Sequence, residues 1–178
     1  MSGRLGETLL TEQQIINRCA ELGAQISSDA NGEPLIVVGL LNGCVPFVAE
    51  LIKHLSVTTY IDFIRVKSYY SGTSSGELKI INDLELDVKG KNVLLVDDII
   101  DSGKTMVNLV RFLKIKGAKN VRVCALLNKP TAHSEEVDNL TLDYIGFDIE
   151  NTWVVGFGLD CNELYRNLPY IAVYYPNE

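Results

Sequence analysis

Three carboxylates, Asp97, Asp98 and Asp101, stand close together in the sequence, and the small polar turn Ser102-Gly103-Lys104-Thr105 follows them directly. Acid oxygens at this density suit sugar hydroxyls or a hard divalent cation such as Mg²⁺. A turn of this kind at a helix start offers backbone N–H groups to an anion such as phosphate. Together these residue types could hold hydroxyls or a metal ion beside a phosphate.

The elements that must position them are legible on either side. Val93 to Val96 is a short apolar run with no helical period, as expected of a strand covered on both faces of a parallel sheet. Met106, Leu109, Val110 and Leu113 fall at i, i+3, i+4 and i+7, so a helix follows the turn. The acids and the turn therefore lie where a strand ends and a helix begins, the edge at which open α/β sheets bind ligands. Two rival motifs fail. A Walker A loop ending at Gly103-Lys104-Thr105 requires Gly at position 98, which is Asp. A Walker B strand at Val93–Asp98 would have no phosphate cradle elsewhere. The bland alternative is a core strand ending in a solvated acidic turn, and the third acid with its Ser-Gly-Lys-Thr argues against it.

The rest of the chain frames this unit. Its 178 residues fit one domain able to bury a sizeable core. A net charge of -7 opposes nucleic-acid and anionic membrane surfaces, and no apolar run is long enough to span a bilayer. The polar start shows no signal peptide, and Cys19, Cys44, Cys124 and Cys161 lack any C-x-x-C, so free thiols in a reducing cytoplasm are expected. His54 and His133 lack metal-ligand spacing.

In chain order, Thr11-x-x-Gln14 is a capping box that predicts a helix from about Glu12, with Ile15, Cys19, Leu22 and Ile26 on its buried face. Leu35 to Leu41 reads as a second buried strand, turning through Asn42-Gly43 into a helix that carries Pro46 in its first turn. This repeats the strand-turn-helix plan and opens its turn on the same sheet edge. Thr58 to Lys67 is β-branched and aromatic, and reads as a strand. The small, polar stretch from Ser68 to Gly76 reads as a loop, and a strand resumes from Glu77 to Ile81. Gly117 ends the helix after the acids, and Val121 to Leu127 is the next buried strand. Leu142 to Phe147, Trp153 to Phe157 and Ile171 to Tyr175 read as short strands outside the β-α pattern, expected to form a small flap.

The thirteen residues from Val93 to Thr105 resemble the signature of the phosphoribosyltransferases, which use phosphoribosyl pyrophosphate. Further motifs recur in order, and the chain as a whole is similar to the hypoxanthine-guanine phosphoribosyltransferases of the type I fold. The resemblance implies one α/β domain over residues 1–178, with a twisted, mainly parallel sheet flanked by helices. Its core would span about 30–135, and a hood would come from the N-terminal segment and about 140–178. It also implies a purine-salvage transferase that converts hypoxanthine or guanine, with phosphoribosyl pyrophosphate, into the nucleoside monophosphate and pyrophosphate.

The resemblance assigns roles residue by residue. Asp101, Ser102, Gly103, Lys104 and Thr105 would hold the 5′-phosphate, with Asp101 the catalytic proton partner at the purine. Asp97 and Asp98 would hold ribose hydroxyls and Mg²⁺, and Asp160 would ligate Mg²⁺. Leu41, Asn42, Gly43 and Arg166 would meet pyrophosphate; Asn42 stands where the family often has a basic residue, so a side-chain role there is open. Lys129 would contact the 6-oxo group, Trp153 would stack on the purine and Val154 would offer backbone groups to its edge. Ser68 and Tyr69 match the opening pair of a lid. Without the resemblance, Lys129 reads better as a solvated residue, Trp153 as a core or flap-packing residue, and Asp160 and Arg166 about equally well as a surface acid and base in a turn. The implied partners are small molecules and further copies of the chain, in a dimer or tetramer. Two alternatives stay open: a regulator of this fold that binds nucleotide and nucleic acid, and a transferase for another base such as xanthine, adenine or a pyrimidine.

Overall fold

The computed structural model describes residues 3–68 and 78–177. A six-stranded sheet is ordered β4-β3-β2-β5-β6-β7, where β2 is Leu35–Leu40, β3 Thr59–Ser68, β4 Leu78–Asn82, β5 Asn92–Ile100, β6 Asn120–Asn128 and β7 Tyr144–Asp148. Strands β3, β2, β5, β6 and β7 run parallel, and β4 lies antiparallel at the edge.

The apolar runs of β2, β5 and β6 divide between two cores. Val37, Leu94, Val96, Cys124 and Leu126 pack toward helices α1 (Glu12–Ala30) and α2 (Val45–Leu51). Their neighbours Val38, Val93, Leu95, Val123 and Ala125 pack toward helix α3 (Lys104–Ile115). Successive strand residues point to opposite faces, and both faces are covered, so no polar alternation survives in these strands. The capping box of α1 forms as the spacing predicts: Gln14 N–H donates to Thr11 Oγ1 at 3.3 Å, and Thr11 N–H donates to Gln14 Oε1 at 2.9 Å. The buried face of α1 carries Ile15, Cys19, Leu22 and Ile26. Met106, Leu109, Val110 and Leu113 are the buried residues of α3.

A second, antiparallel sheet of three strands, β1-β9-β8, forms a hood from Gly3–Leu10, Ile171–Pro176 and Val154–Val155. One expectation is corrected here. The Leu142–Phe147 strand does not join the flap; Tyr144–Asp148 pairs in parallel with β6 and extends the main sheet. The crossover from β6 to β7 runs through two short 3-10 turns, Pro130–Ala132 and Glu135–Asn139, instead of an α-helix. The helical period that marks a β-α repeat is therefore missing from the sequence at that point. No described helix is long and apolar enough to cross a membrane.

Candidate active site

The C-terminal ends of β2 and β5 open into one cleft of about 280 Å³. Its walls include Leu41, Asn42 and Gly43 from the turn after β2, Asp97 and Asp98 from β5, and Asp101, Ser102, Gly103 and Thr105 from the turn before α3. A larger hollow of about 440 Å³ lies at the opposite strand ends, beside Tyr60 and Lys91, and holds none of the candidate residues. Chemistry, not volume, selects between them.

The turn before α3 is built to receive an anion. Gly103 takes a left-handed φ of 71° at the N-cap, and no side chain caps the helix. The first intrahelical bond runs from Val107 N–H to the Gly103 carbonyl at 3.0 Å, so the preceding amides have no acceptor inside the helix. The loop is braced from behind. Ser134 donates to the Ser102 carbonyl from both its N–H (3.1 Å) and its hydroxyl (2.9 Å). Lys104 does not line the cleft, and its ammonium pairs with Glu136 at 3.8 Å.

Asp97 and Asp98 are the electrostatic centre. Asp97 Oδ1 accepts from Asp98 N–H at 2.9 Å, and Asp98 Oδ1 from Ile99 N–H at 2.8 Å. Burial pushes the Asp97 carboxyl well above its usual range, and the neighbouring Asp98 adds to the shift. Burial raises Asp98 as well, partly opposed by hydrogen bonding with Asp97 and the Ile99 N–H, and least by the charge of Arg166. The Cys44 thiol beside them is pushed up by burial and then by the two acids. Such a pair favours a bound positive charge or hydroxyl donors.

This has a consequence for stability. Both folded-state pKa values lie above the unfolded value of about 3.9, so the folded protein holds these protons more tightly than the unfolded chain. Their contribution to stability is fully present below the unfolded pKa and is lost as pH rises through the folded values. Asp97→Asn keeps the Oδ1 acceptor and removes the charge. It should raise the ligand-free Tm at pH 8 by about 2–4 °C, as expected for roughly 1 kcal/mol in a chain of this size, and by much less at pH 4. Scanning calorimetry at both pH values checks this, and an equal or lower Tm at pH 8 would refute it.

The hood closes over the turn after β2. The Leu41–Asn42 peptide is cis. A Cβ on Gly43 would strike the Asp98 carboxylate, and one on Gly158 would strike the Gly43 carbonyl, so three segments meet at glycine backbone. Gly158 also takes a φ of 99°. Its carbonyl accepts from Arg166 Nη1 at 2.8 Å, while Arg166 Nη2 pairs with Asp160 Oδ1 at 2.8 Å and Glu163 Oε2 at 3.0 Å. Asp160 Oδ2 accepts from Glu163 N–H at 2.8 Å. Asp160 and Arg166, expected to act separately on metal and pyrophosphate, thus bond to each other beside the cleft.

Lys129 is buried, and its ammonium lies 3.8 Å from Asp101 Oδ2. Trp153 and Val154 do not line the cleft; they sit at the start of β8. Trp153 is 51% exposed and tilts against Tyr174 at 6.2 Å between ring centroids, and Val154 is buried opposite Val173. Ser68 ends β3, and Tyr69 lies outside the described residues. Sequence reasoning missed Gly158 and Ser134. Neither carries a local signal, because a positive φ and a bond to a distant carbonyl leave no mark in spacing.

Residues 6–162 match the family profile described as the phosphoribosyl transferase domain. The chain is 46% identical over 171 residues to a hypoxanthine-guanine phosphoribosyltransferase of Lactococcus lactis, covering 96% of this chain and 91% of that one. It is 44% identical over 168 residues to one of Streptococcus agalactiae, covering 94% and 92%. A solved hypoxanthine phosphoribosyltransferase of Staphylococcus aureus superposes with a TM-score of 0.91 at 41% identity, covering 97% of this chain and 92% of that one. With its parallel sheet, its hood and its cleft at the strand ends, the chain belongs to the phosphoribosyltransferase family, in the hypoxanthine-guanine branch of the type I fold.

Proposed function

We propose that this protein transfers the 5-phosphoribosyl group from phosphoribosyl pyrophosphate to a 6-oxopurine, hypoxanthine or guanine, releasing pyrophosphate and giving IMP or GMP. The observation that carries this reading is the convergence of two acids, one buried and one half-buried, an uncapped helix N-terminus and the Leu41-Asn42-Gly43 turn on one cleft. The names of the related enzymes support it.

In this reading the turn from Asp101 to Thr105 holds the 5′-phosphate through its backbone amides. Asp97 and Asp98 accept from the ribose hydroxyls. The 41–43 turn and Arg166 face the pyrophosphate, and the planar fork of Arg166 suits phosphate oxygens. Lys129 donates to the 6-oxo group, Trp153 offers a ring face to the purine and Val154 offers its backbone to the purine edge. As the bond between C1 and the pyrophosphate oxygen breaks, positive charge grows on the sugar and the nearby carboxylates stabilise it. Asp101 takes the proton that leaves the purine nitrogen as the new C–N bond forms.

The donor set fits Mg²⁺. Among the described residues no cluster of three or more His, Cys, Asp or Glu forms a closed metal cage. Mg²⁺ is commonly held by one or two carboxylates with water and substrate oxygens, and the Asp97–Asp98 pair on the cleft wall matches that pattern; Asp160, beside the cleft with its oxygens engaged by Arg166 and the Glu163 N–H, would join it by giving up the Arg166 contact. When bound, the ion supplies neutralisation of phosphate charge. The assembly proposed is a homodimer or tetramer of cytoplasmic location, read by sedimentation velocity and fractionation.

The test is purified protein with Mg²⁺, phosphoribosyl pyrophosphate and each purine in turn, followed by absorbance. Nucleotide should form with hypoxanthine or guanine; formation only with another base would move the assignment, and none with any base would end it. Lys129→Ala should raise the purine KM by about tenfold or more, since it removes a charged hydrogen bond, and leave the KM for phosphoribosyl pyrophosphate within about threefold.

A further inference from the structure

Asn128 is the last residue of β6 and is buried. It pairs with Ile100 of β5 on one side and Asp148 of β7 on the other. Those two residues end the strands that lead into the phosphate turn and into the segment bearing Trp153. The side-chain amide of Asn128 is used on both ends. Nδ2 donates to Asp148 Oδ1 at 2.7 Å, and Oδ1 lies 2.7 Å from His133 Nε2. A carboxylate can only accept, so Asp148 fixes which way the amide faces. Oδ1 must then receive a hydrogen, and His133 supplies it from Nε2. The Asn128 carbonyl also accepts from Ile149 N–H at 2.8 Å, and Lys129 N–H donates to the Ile100 carbonyl at 2.9 Å.

Ser134, which follows His133 in the chain, turns to the loop before α3 instead. Ser134 holds the Ser102 carbonyl with two donors, and Val137, one short turn on, fills the space beside Gly103. Consecutive residues thus grip the strand end that precedes Lys129 and the loop assigned to the phosphate.

We propose that His133 and Ser134 form a two-residue clasp that holds the base side and the phosphate side of the cleft in register. Both are positioning residues; neither touches substrate. The proposal deepens the reading of Lys129 and the 149–154 segment as the base side, and it rests on that reading. His133 tunes purine binding through Asn128 and Asp148, and Ser134 tunes phosphate binding through Ser102.

The test is steady-state kinetics on His133→Ala, His133→Gln and Ser134→Ala in the full chain. His133→Ala should raise the purine KM by about tenfold, as expected for losing the donor to a buried amide, with the KM for phosphoribosyl pyrophosphate within about twofold. Gln offers an N–H near the same point and should restore the purine KM to within about threefold of wild type. Ser134→Ala should show the reverse split. Both KM values moving together, neither moving, or no rescue by Gln would overturn the clasp. If wild type turns over no purine, the functional reading fails, and amide exchange still tests the clasp. His133→Ala should then speed exchange at Ile149 N–H while Ser134→Ala leaves that amide unchanged, and equal exchange in both variants would overturn it.

Discussion

Asp101→Asn should lower kcat by about a hundredfold or more, the usual worth of a positioned proton acceptor, while both KM values stay within a few-fold. The substitution keeps the size and one oxygen of the side chain and removes its ability to take a proton. The phosphate cradle proposed here is made of backbone amides at the start of α3 and would not need this side chain, so binding of the sugar phosphate should survive. Asp101 differs from its two neighbours in its setting: its carboxylate is 62% exposed, whereas Asp97 is buried and Asp98 half-buried. It can therefore meet an incoming purine from the solvent side and pass a proton on. Its partner Lys129, 3.8 Å away, ties the proton acceptor to the group assigned to the purine oxygen. Single-turnover kinetics with saturating substrates isolates the chemical step. Turnover within about threefold of wild type would remove Asp101 from the mechanism and leave electrostatic stabilisation by Asp97 and Asp98 as the main contribution.

Much of this arrangement could be read from residue order, for a physical reason. A buried parallel strand needs a continuous apolar run, and a helix on the sheet needs an apolar stripe, so Val93–Val96 and the stripe of α3 locate the turn between them with little ambiguity. The same logic placed the turn after β2. It failed at β7, because the preceding crossover has no helix and Tyr144–Asp148 is only partly apolar. It also failed for the contacts that shape the cleft from outside. Gly158 resting on Gly43, and Arg166 pairing with Asp160, depend on how the hood folds back over the sheet. The Asp148–Asn128–His133 chain was equally hidden: His133 has no metal-ligand spacing, and its partner is a side chain whose orientation is fixed by a third strand. Local pattern records which face of an element is apolar. It does not record which polar groups meet once elements from distant parts of the chain are stacked.

Gly43→Ala should reduce kcat/KM for phosphoribosyl pyrophosphate by about two to three orders of magnitude, on the scale that a misplacement of about 1 Å costs a preorganised site. Gly43 does not adopt a left-handed backbone, so alanine brings no conformational penalty of its own, and the effect is purely one of space. The added methyl would occupy the position of the Asp98 carboxylate. Asp98 cannot yield freely, since Oδ1 is held by Ile99 N–H at 2.8 Å. The turn cannot retreat either, because the Gly43 carbonyl is already in close approach to Gly158 of the hood. Whichever side gives way, an acid assigned to the ribose or a turn assigned to the pyrophosphate leaves its place. Overpacking of this kind costs about 1–3 kcal/mol of stability, so the variant should still fold, with a Tm lowered by several degrees. Gly90→Ala is the control: Gly90 has open space around it and a φ of 69°, so it loses stability through backbone strain at a point far from the cleft and should keep near-normal kcat/KM. If Gly43→Ala matched the Gly90 variant in both Tm and kcat/KM, the close approach of the turn to Asp98 would have no part in substrate binding, and the pyrophosphate assignment of residues 41–43 would fall with it.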